Sequence, residues 1–240
     1  MDKLVIFDLD GTLLETNEVD TECYAAACRD ELDVDLSAIA WSDFANITDS
    51  AIAEDLLMRS PRSTDASVLE RMKLAFFDLL SQAAASSPQR FRPVAGAEPL
   101  LARLSSIGWR VAIATGAWRV SVEIKIAASG GFLASLPVST ADDYTSREDV
   151  VSHAVELAAR AYSVTHFTRI TSVGDGPWDV RAAHRLSLPF VGIGRDWRRE
   201  GLMACGASCV LDDLQDFAEF AESLDYAVVP DWTPQNLAAR

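Results

Sequence analysis

The sequence has little that points to a membrane, to zinc or to disulfide chemistry. No apolar stretch approaches the roughly 20 residues that a helix needs to cross a bilayer, so no membrane partner is expected. The four cysteines lack the spacing of a zinc motif or a redox pair, and we interpret them as reduced thiols. The first residues lack the architecture of a signal peptide, and a cytoplasmic protein is therefore expected.

Basic residues are scarce relative to acidic ones. The chain has 21 Lys and Arg against 36 Asp and Glu, which gives a net charge of −15. A surface this acidic repels nucleic acid and anionic membranes, so neither is an expected partner. An anionic small molecule remains compatible, because a bound cation can reverse the local field. Nothing in the sequence indicates the oligomeric state.

Short, continuous apolar runs alternate with helical patterns in most of the chain. The runs that predict strands are 4–7, 111–114, 170–173, 190–193 and, more weakly, 208–211. The patterns that predict helices between them are 97–107, 117–129, 149–162 and 178–186. Uninterrupted apolar strands are typical of a sheet buried on both faces. This alternation predicts an α/β fold with a Rossmann-like, doubly wound parallel sheet.

The stretch 16–92 differs, because it contains helical patterns and no convincing strand. Helices are expected at 21–32, 49–58 and 65–85. An all-helical insert directly after the first strand predicts a separate cap domain, 16–92, on a core formed by 1–15 and 93–240. The chain would cross between the two domains near 14–18 and 88–96.

The first chemically informative motif follows the first predicted strand, as Asp8-Leu9-Asp10-Gly11-Thr12. Two carboxylates at i and i+2 leave the strand on the same side, and Gly11 allows a sharp bend behind them. Asp10-Gly11 alone would be an ordinary turn. Asp8, however, ends a buried strand, where an unpaired charge is costly. The motif therefore predicts a bound cation at Asp8 and Asp10.

Two further motifs lie at the ends of other predicted strands. Thr115 and Gly116 stand where a strand stops and a helix begins, a place suited to a phosphoryl oxygen. For this pair alone, an ordinary helix cap is the favoured interpretation. Asp175 lies in a loop and Asp179 on the following helix, four residues apart. Two such carboxylates form a hard-oxygen arrangement that suits Mg²⁺.

A carboxylate cluster that faces a phosphate needs positive charge beyond one metal ion. Arg147 begins the helix before the third motif and is the first candidate, with a solvated Arg as the alternative. Lys125 is the second candidate, but its place along the preceding helix predicts that it lies too far from the strand ends.

Three further residues are placed to contact a substrate. Thr48 lies at a helix start in the insert and is expected to face the site when the cap closes. Trp118 and Arg119 follow Thr115-Gly116 directly, although packing is an alternative role for Trp118 and a solvated surface for Arg119.

The order of these motifs resembles the phosphatase branch of the haloacid dehalogenase superfamily. The matching residues are Asp8-Leu9-Asp10-Gly11-Thr12, Thr115-Gly116, a basic residue, Gly174-Asp175 and Asp179. The resemblance covers essentially the whole core, and the helical insert is similar to that family's helical cap. Pro93-Val94-Ala95-Gly96 before a helix is similar to phosphoglycolate phosphatase-type members. The family usually has Lys followed by Pro where this chain has Arg147-Glu148.

The resemblance implies a Mg²⁺-dependent phosphatase that acts on a phosphorylated small molecule. Asp8 would attack phosphorus to form an aspartyl-phosphate, while Asp10 would protonate the leaving oxygen and then activate water. Thr115 would hold a phosphoryl oxygen, and the basic residue would neutralise charge. Mg²⁺ would be held by the Asp8 carboxylate, the Asp10 main-chain carbonyl and Asp175. Asp179 would ligate through water or orient Asp175.

Two other functions stay open on the sequence. A sugar phosphomutase shares both the Asp8–Asp10 dyad and the helical cap. A non-catalytic phospholigand-binding protein on the same fold is less favoured, because it has no need of both acids. A dehalogenase is disfavoured, because a halide needs no acid and the dehalogenase relatives lack the second Asp.

Overall fold

The computed structural model describes residues 2–65 and 67–232, in which six strands form one parallel sheet. The strands are β1 (Lys3–Phe7), β2 (Trp109–Ala114), β3 (Val138–Ser139), β4 (Arg169–Gly174), β5 (Phe190–Ile193) and β6 (Val210–Leu211). Their order is β3-β2-β1-β4-β5-β6, which confirms the predicted doubly wound fold. The end of the predicted core, 233–240, and Ala66 of the predicted 65–85 helix lie outside the described residues.

Helices cover both faces of this sheet and form the segment between β1 and β2. They are α1 (Asn17–Ala27), α2 (Asp49–Arg59), α3 (Val68–Ser86), α4 (Ala97–Leu104), α5 (Arg119–Ala128), α6 (Arg147–Tyr162), α7 (Pro177–Arg185), α8 (Asp196–Ala204) and α9 (Phe217–Tyr226). Strand β3 and helices α8 and α9 were not predicted. None of the helices in the described ranges combines the length and apolar character needed to span a membrane.

The continuous apolar sequence of β1 is explained by burial on both faces of the sheet. Leu4 and Ile6 pack in a cluster with residues of α6. Val5 and Phe7 point to the opposite face and pack with residues of α4 and α9. The Phe7 ring stacks on Phe220 of α9 at 5.8 Å between centroids. Since neither face meets water, β1 has no polar alternation.

The strand order changes direction at β1, and this brings two chain segments together. After β1 the chain builds β2 and β3 on one side and then returns through α6 to β4 on the other side. Phe7 is level with Val173 of β4, so the residues that follow these strands are neighbours at the carboxyl edge. Open α/β sheets bind their ligands at this reversal point.

The helical segment between β1 and β2 has a hydrophobic cluster of its own. Residues from α1, α2 and α3 form this cluster together with Trp118, which comes from the loop before α5. The Trp118 ring is 5.8 Å from Tyr24 and 6.1 Å from Phe76, and its indole nitrogen donates to Ser50 Oγ at 2.8 Å. Trp118 is 1% exposed and therefore acts as the aromatic anchor between this segment and the sheet.

The two chain crossings that join the helical segment to the sheet are paired with each other. The Glu15 main-chain N–H donates to the Arg92 carbonyl at 2.9 Å, and the Val94 N–H donates to the Leu13 carbonyl at the same distance. Glu15, Arg92 and Val94 lie within the predicted stretches 14–18 and 88–96, and Leu13 directly precedes the first stretch. The division into two domains at these positions stays a prediction.

Replacing Trp118 with Ala is expected to lower the free energy of unfolding by about 3–5 kcal/mol, because a fully buried indole leaves a cavity. Urea denaturation would measure the change. Trp197→Ala is the matched control, since that indole is 65% exposed and its loss should cost little. Equal stability of the Trp118→Ala variant and the wild type would contradict the packing role.

Candidate active site

Three of the predicted carboxylates meet at the carboxyl edge of β1 and β4. Asp8 follows β1 directly, Asp175 follows β4, and Asp179 lies in the first turn of α7. All three are buried, and each offers a carboxylate oxygen within 4.8 Å of the others. The Asp8 main-chain N–H donates to the Val173 carbonyl at 2.9 Å, which ties the end of β1 to β4. The sequence predicted these positions at the strand ends, and the role of each residue stays a prediction.

Burial makes this cluster electrostatically expensive. It raises the pKa of Asp8 well above its usual value, and the nearby carboxylates raise it further while Arg147 opposes the shift. Burial also raises the pKa of Asp175 to about 7, against the opposing effect of Arg198. Among the described residues, Asp175 Oδ1 has no hydrogen-bond partner. Three close, buried carboxylates with an unpaired oxygen are a donor set that fits Mg²⁺.

Arg147 lies inside the carboxylate cluster, as the sequence predicted. Its Nη2 donates to Asp8 Oδ1 at 2.7 Å and to Asp179 Oδ1 at 2.5 Å. Burial alone lowers the pKa of Arg147, but the carboxylates of Asp179 and Asp8 outweigh this effect and raise the pKa. Ser146 caps α6, and its Oγ accepts the Asp149 N–H. Because Arg147 is the first residue of α6, this cap fixes the position of the Arg147 backbone.

Lys125 also reaches the site, and the expectation that it lies too far from the strand ends is wrong. Its Nζ is 2.8 Å from Asp10 Oδ2 and 2.5 Å from Asp20 Oδ1, and the side chain is fully buried. Asp10 belongs to the turn after β1, where its carboxylate faces Lys125 of α5 and Asp20 of α1. A long side chain partway along α5 therefore reaches Asp10, three residues after the end of β1.

Asp10 is held apart from the cluster of three carboxylates. Thr16 Oγ1 donates to Asp10 Oδ1 at 2.5 Å, so both carboxylate oxygens have partners. The predicted contact between the Asp10 main-chain carbonyl and a metal ion stays a prediction. The next residue, Gly11, has φ of +79°, and a Cβ there would collide with the side chains of Asp175 and Asn17. The tight turn therefore requires glycine.

Thr115 and Gly116 lie beside the carboxylates at the end of β2. Thr115 is buried, and its Oγ1 accepts the Ala117 N–H at 3.2 Å. The alternative of a helix cap is wrong, because α5 begins at Arg119 and the residue at its N-cap is Trp118. A Cβ on Gly116 would lie 2.8 Å from Arg147 Nη1 and 2.9 Å from the Ile47 carbonyl oxygen. The missing side chain at Gly116 therefore makes room for the guanidinium group of Arg147.

The three predicted substrate-contact residues have other partners in this structure. The Thr48 hydroxyl caps α2 by accepting the Ala51 N–H and donates to the Thr145 carbonyl. The Trp118 indole is buried in the helical cluster. The Arg119 guanidinium is exposed and lies 3.3 Å from Thr140 Oγ1. Neither Trp118 nor Arg119 contacts the carboxylates of the described site, so the structure favours packing for the first and a surface role for the second.

The sequence missed three residues that contact the predicted site residues. Asn17 Nδ2 donates to Asp175 Oδ2 at 3.0 Å, and Arg198 Nη1 lies 3.2 Å from the same oxygen. Asp20 is the partner of Lys125. None of the three belongs to a motif. Each comes from a helix whose position relative to the sheet is set by tertiary packing, so the sequence carries no local signal for them.

Comparison with known proteins agrees with this fold. The family model of haloacid dehalogenase-like hydrolases matches residues 3–186. No protein of curated function matches the chain.

Three solved structures are similar over nearly the whole chain. A predicted phosphoglycolate phosphatase from Haemophilus somnus 129pt has 16% identity and a TM-score of 0.66, and covers 92% of this chain and 98% of its own. CbbY from Rhodobacter sphaeroides, in complex with phosphate, has 20% identity and a TM-score of 0.63, and covers 94% and 100%. The β-phosphoglucomutase of Clostridium difficile has 15% identity and a TM-score of 0.66, and covers 94% and 98%.

Identities this low show a shared fold and nothing about a shared substrate. The family model, in contrast, spans more than half of the chain, from β1 through α7, and so includes the Asp8, Thr115, Arg147 and Asp175 motifs. The chain therefore belongs to the haloacid dehalogenase-like hydrolase family, which confirms the resemblance seen in the sequence.

Proposed function

We propose that this chain is a Mg²⁺-dependent phosphatase that hydrolyses a phosphate monoester of a small metabolite through an aspartyl-phosphate on Asp8. One observation carries the proposal: Asp8, Asp175 and Asp179 lie buried within 4.8 Å of one another, at the strand reversal, in contact with Arg147. Buried charges in such a group are stabilised by a metal or by a paired cation. The carboxylates of this site can bind a metal ion and also pair with a cationic side chain.

The proposed roles divide between holding a metal and attacking phosphorus. Asp8, Asp175 and Asp179, with the Asp10 main-chain carbonyl, would hold Mg²⁺, which would supply charge neutralisation for the carboxylates and the phosphoryl group. Asp8 is the nucleophile, and Arg147 orients its carboxylate through the Oδ1 contact. The same guanidinium, permanently charged, stabilises the charge that spreads over the phosphoryl oxygens during transfer.

Asp10 is the proposed general acid and base. It gives a proton to the leaving oxygen and then takes one from the water that hydrolyses the intermediate. Its carboxylate is held by Thr16 and Lys125, so its direction is set by residues at the start of α1 and on α5. Lys125 is therefore proposed as a positioning residue for Asp10, whereas Arg147 is the cation that faces the phosphoryl group.

Residues 16–92 are proposed to form a cap on the core of 1–15 and 93–240. The start of α2 contacts the loops at the carboxyl edge: the Asp49 N–H donates to the Gly116 carbonyl at 2.7 Å, and Ser50 Oγ donates to the Ala141 carbonyl at 2.6 Å. Asn17 of the same segment donates to Asp175, so we expect substrate entry to require a movement of the cap. A closed cap excludes bulk water and strengthens the electrostatic contacts inside.

Asp8→Asn is expected to reduce Mg²⁺-dependent phosphate release to background, because an amide oxygen is a poor nucleophile and metal ligand. The measurement is phosphate release from a panel of phosphorylated metabolites, with and without Mg²⁺. Asp55→Asn is the matched control, since Asp55 lies on the surface of α2 and pairs with Arg59. Retained activity of Asp8→Asn in a clean preparation would refute the proposal. Transfer of phosphate between positions of a sugar, without release, would identify a phosphomutase instead.

Arg147→Met is expected to lower kcat by about 100- to 1000-fold, the usual effect of removing a group that stabilises transition-state charge. Arg147→Lys should recover part of this loss, because it restores the charge without the planar fork. Steady-state kinetics would also be measured for Lys125→Met, which should lower kcat less than Arg147→Met, because Lys125 acts only by positioning Asp10. A larger loss of phosphoryl transfer for Lys125→Met than for Arg147→Met would reverse the two assignments.

Metal-free protein is expected to lose stability as the pH rises from 5 to 8. Burial raises the pKa of Asp20 to about 6 and that of Asp175 to about 7, so the folded state keeps protons that the unfolded chain releases. Stability therefore falls as the pH rises through these folded-state values. Calorimetry in a chelator would measure Tm, and Asp20→Asn should weaken the decline. An equally steep decline in Asp20→Asn, or a rising Tm in the wild type, would contradict this reasoning.

A further inference from the structure

Arg198, in the first turn of α8, brings a second guanidinium group to the carboxylate cluster. Its Nη1 lies 3.2 Å from Asp175 Oδ2, the same oxygen that accepts from Asn17. The Arg198 side chain is 31% exposed, whereas that of Asp175 is buried. Gly11, Asn17 and Arg198 also line a cavity of about 480 Å³ that extends toward the loops after β5 and β6. The guanidinium group therefore stands between this cavity and the buried carboxylates.

The backbone around α8 fits the path of this side chain. A Cβ on Gly194 would lie 2.7 Å from both Cγ and Cδ of Arg198, so the aliphatic stem crosses the place where any other residue would put its side chain. The guanidinium carbon lies 5.4 Å from the centroid of the Trp197 ring. The contacts with Gly194 and Trp197 therefore orient the Arg198 side chain toward Asp175.

Arg198 changes the net charge of the carboxylate cluster. The cluster has one net negative charge when it is counted over the ionised side chains of Asp8, Asp175, Asp179, Arg147 and Arg198. A divalent cation would change this to one net positive charge, which suits a phosphoryl dianion. Without Arg198 the same cluster would attract the metal more strongly and, once loaded, would attract the anion less strongly.

We propose that Arg198 is a substrate-binding residue that competes with Mg²⁺ for Asp175 and binds the phosphorylated ligand in the neighbouring cavity. This inference rests on the proposed function and deepens it. Arg198 therefore opposes Mg²⁺ binding and favours anion binding. A residue with a merely structural role would change both affinities in the same direction.

Two titrations on the full chain test this opposition. Calorimetry at pH 8.5 measures the Kd of Mg²⁺, and a second titration measures the Kd of inorganic phosphate in saturating Mg²⁺. Arg198→Gln is expected to bind Mg²⁺ about 5-fold more tightly and phosphate about 5-fold more weakly, a change typical of one partly screened charge contact.

Two further variants control the comparison. Arg160→Gln removes an exposed charge on α6 that pairs with Glu156, away from the residues that line the cavity, and should leave both affinities within twofold of wild type. Arg198→Lys keeps the charge and should restore phosphate binding at least in part.

The outcomes separate this inference from the proposed function. Weaker binding of both ligands to Arg198→Gln, or wild-type affinity for both, overturns the role of Arg198 and leaves the phosphatase proposal standing. A wild-type protein that binds neither Mg²⁺ nor phosphate overturns the proposed function itself, and with it the inference.

Discussion

The structure around the active site depends on one constraint: three carboxylates are buried together where β1 and β4 end. Burial and mutual repulsion disfavour their ionised forms, so the fold has to bring positive charge to them. It does so with Arg147 at the start of α6 and Arg198 at the start of α8. The acids lie together at the strand reversal, and arginines at the starts of two helices stabilise their charges through ion pairs.

A second set of charges is arranged beside the first, and the helical segment contributes to it. Lys125 links Asp10 of the turn after β1 to Asp20 of α1, while Asn17 of α1 contacts Asp175. The segment between β1 and β2 thus contacts the predicted acid and a predicted metal ligand through its first helix. A movement of that segment would therefore change the partners of both residues. These local cations also explain how a chain of net charge −15 can offer a site to an anion.

Most of the sheet and the three-acid cluster were predictable, because their sequence signals are local. A strand buried on both faces is continuously apolar, as in β1, and its end is marked by the acid that follows. Strand β3 was missed because its two residues are too short to form a pattern. Lys125 was misplaced, and Arg198 was not considered, because the reach of a long side chain depends on how helices pack against the sheet. Trp118 was correctly seen as ambiguous, and only the packing of the helical segment shows that its indole is an anchor.

The central claim of this account is that the Asp8 carboxylate attacks phosphorus. Acid quenching of the Mg²⁺-loaded protein during turnover of a phosphorylated substrate, followed by borohydride reduction and peptide mass spectrometry, tests it directly. An acyl-phosphate at Asp8 is reduced to an alcohol, so the account predicts homoserine at position 8 in the presence of substrate and Mg²⁺. Unmodified Asp8 during active phosphate release, or a modified residue elsewhere, would contradict it.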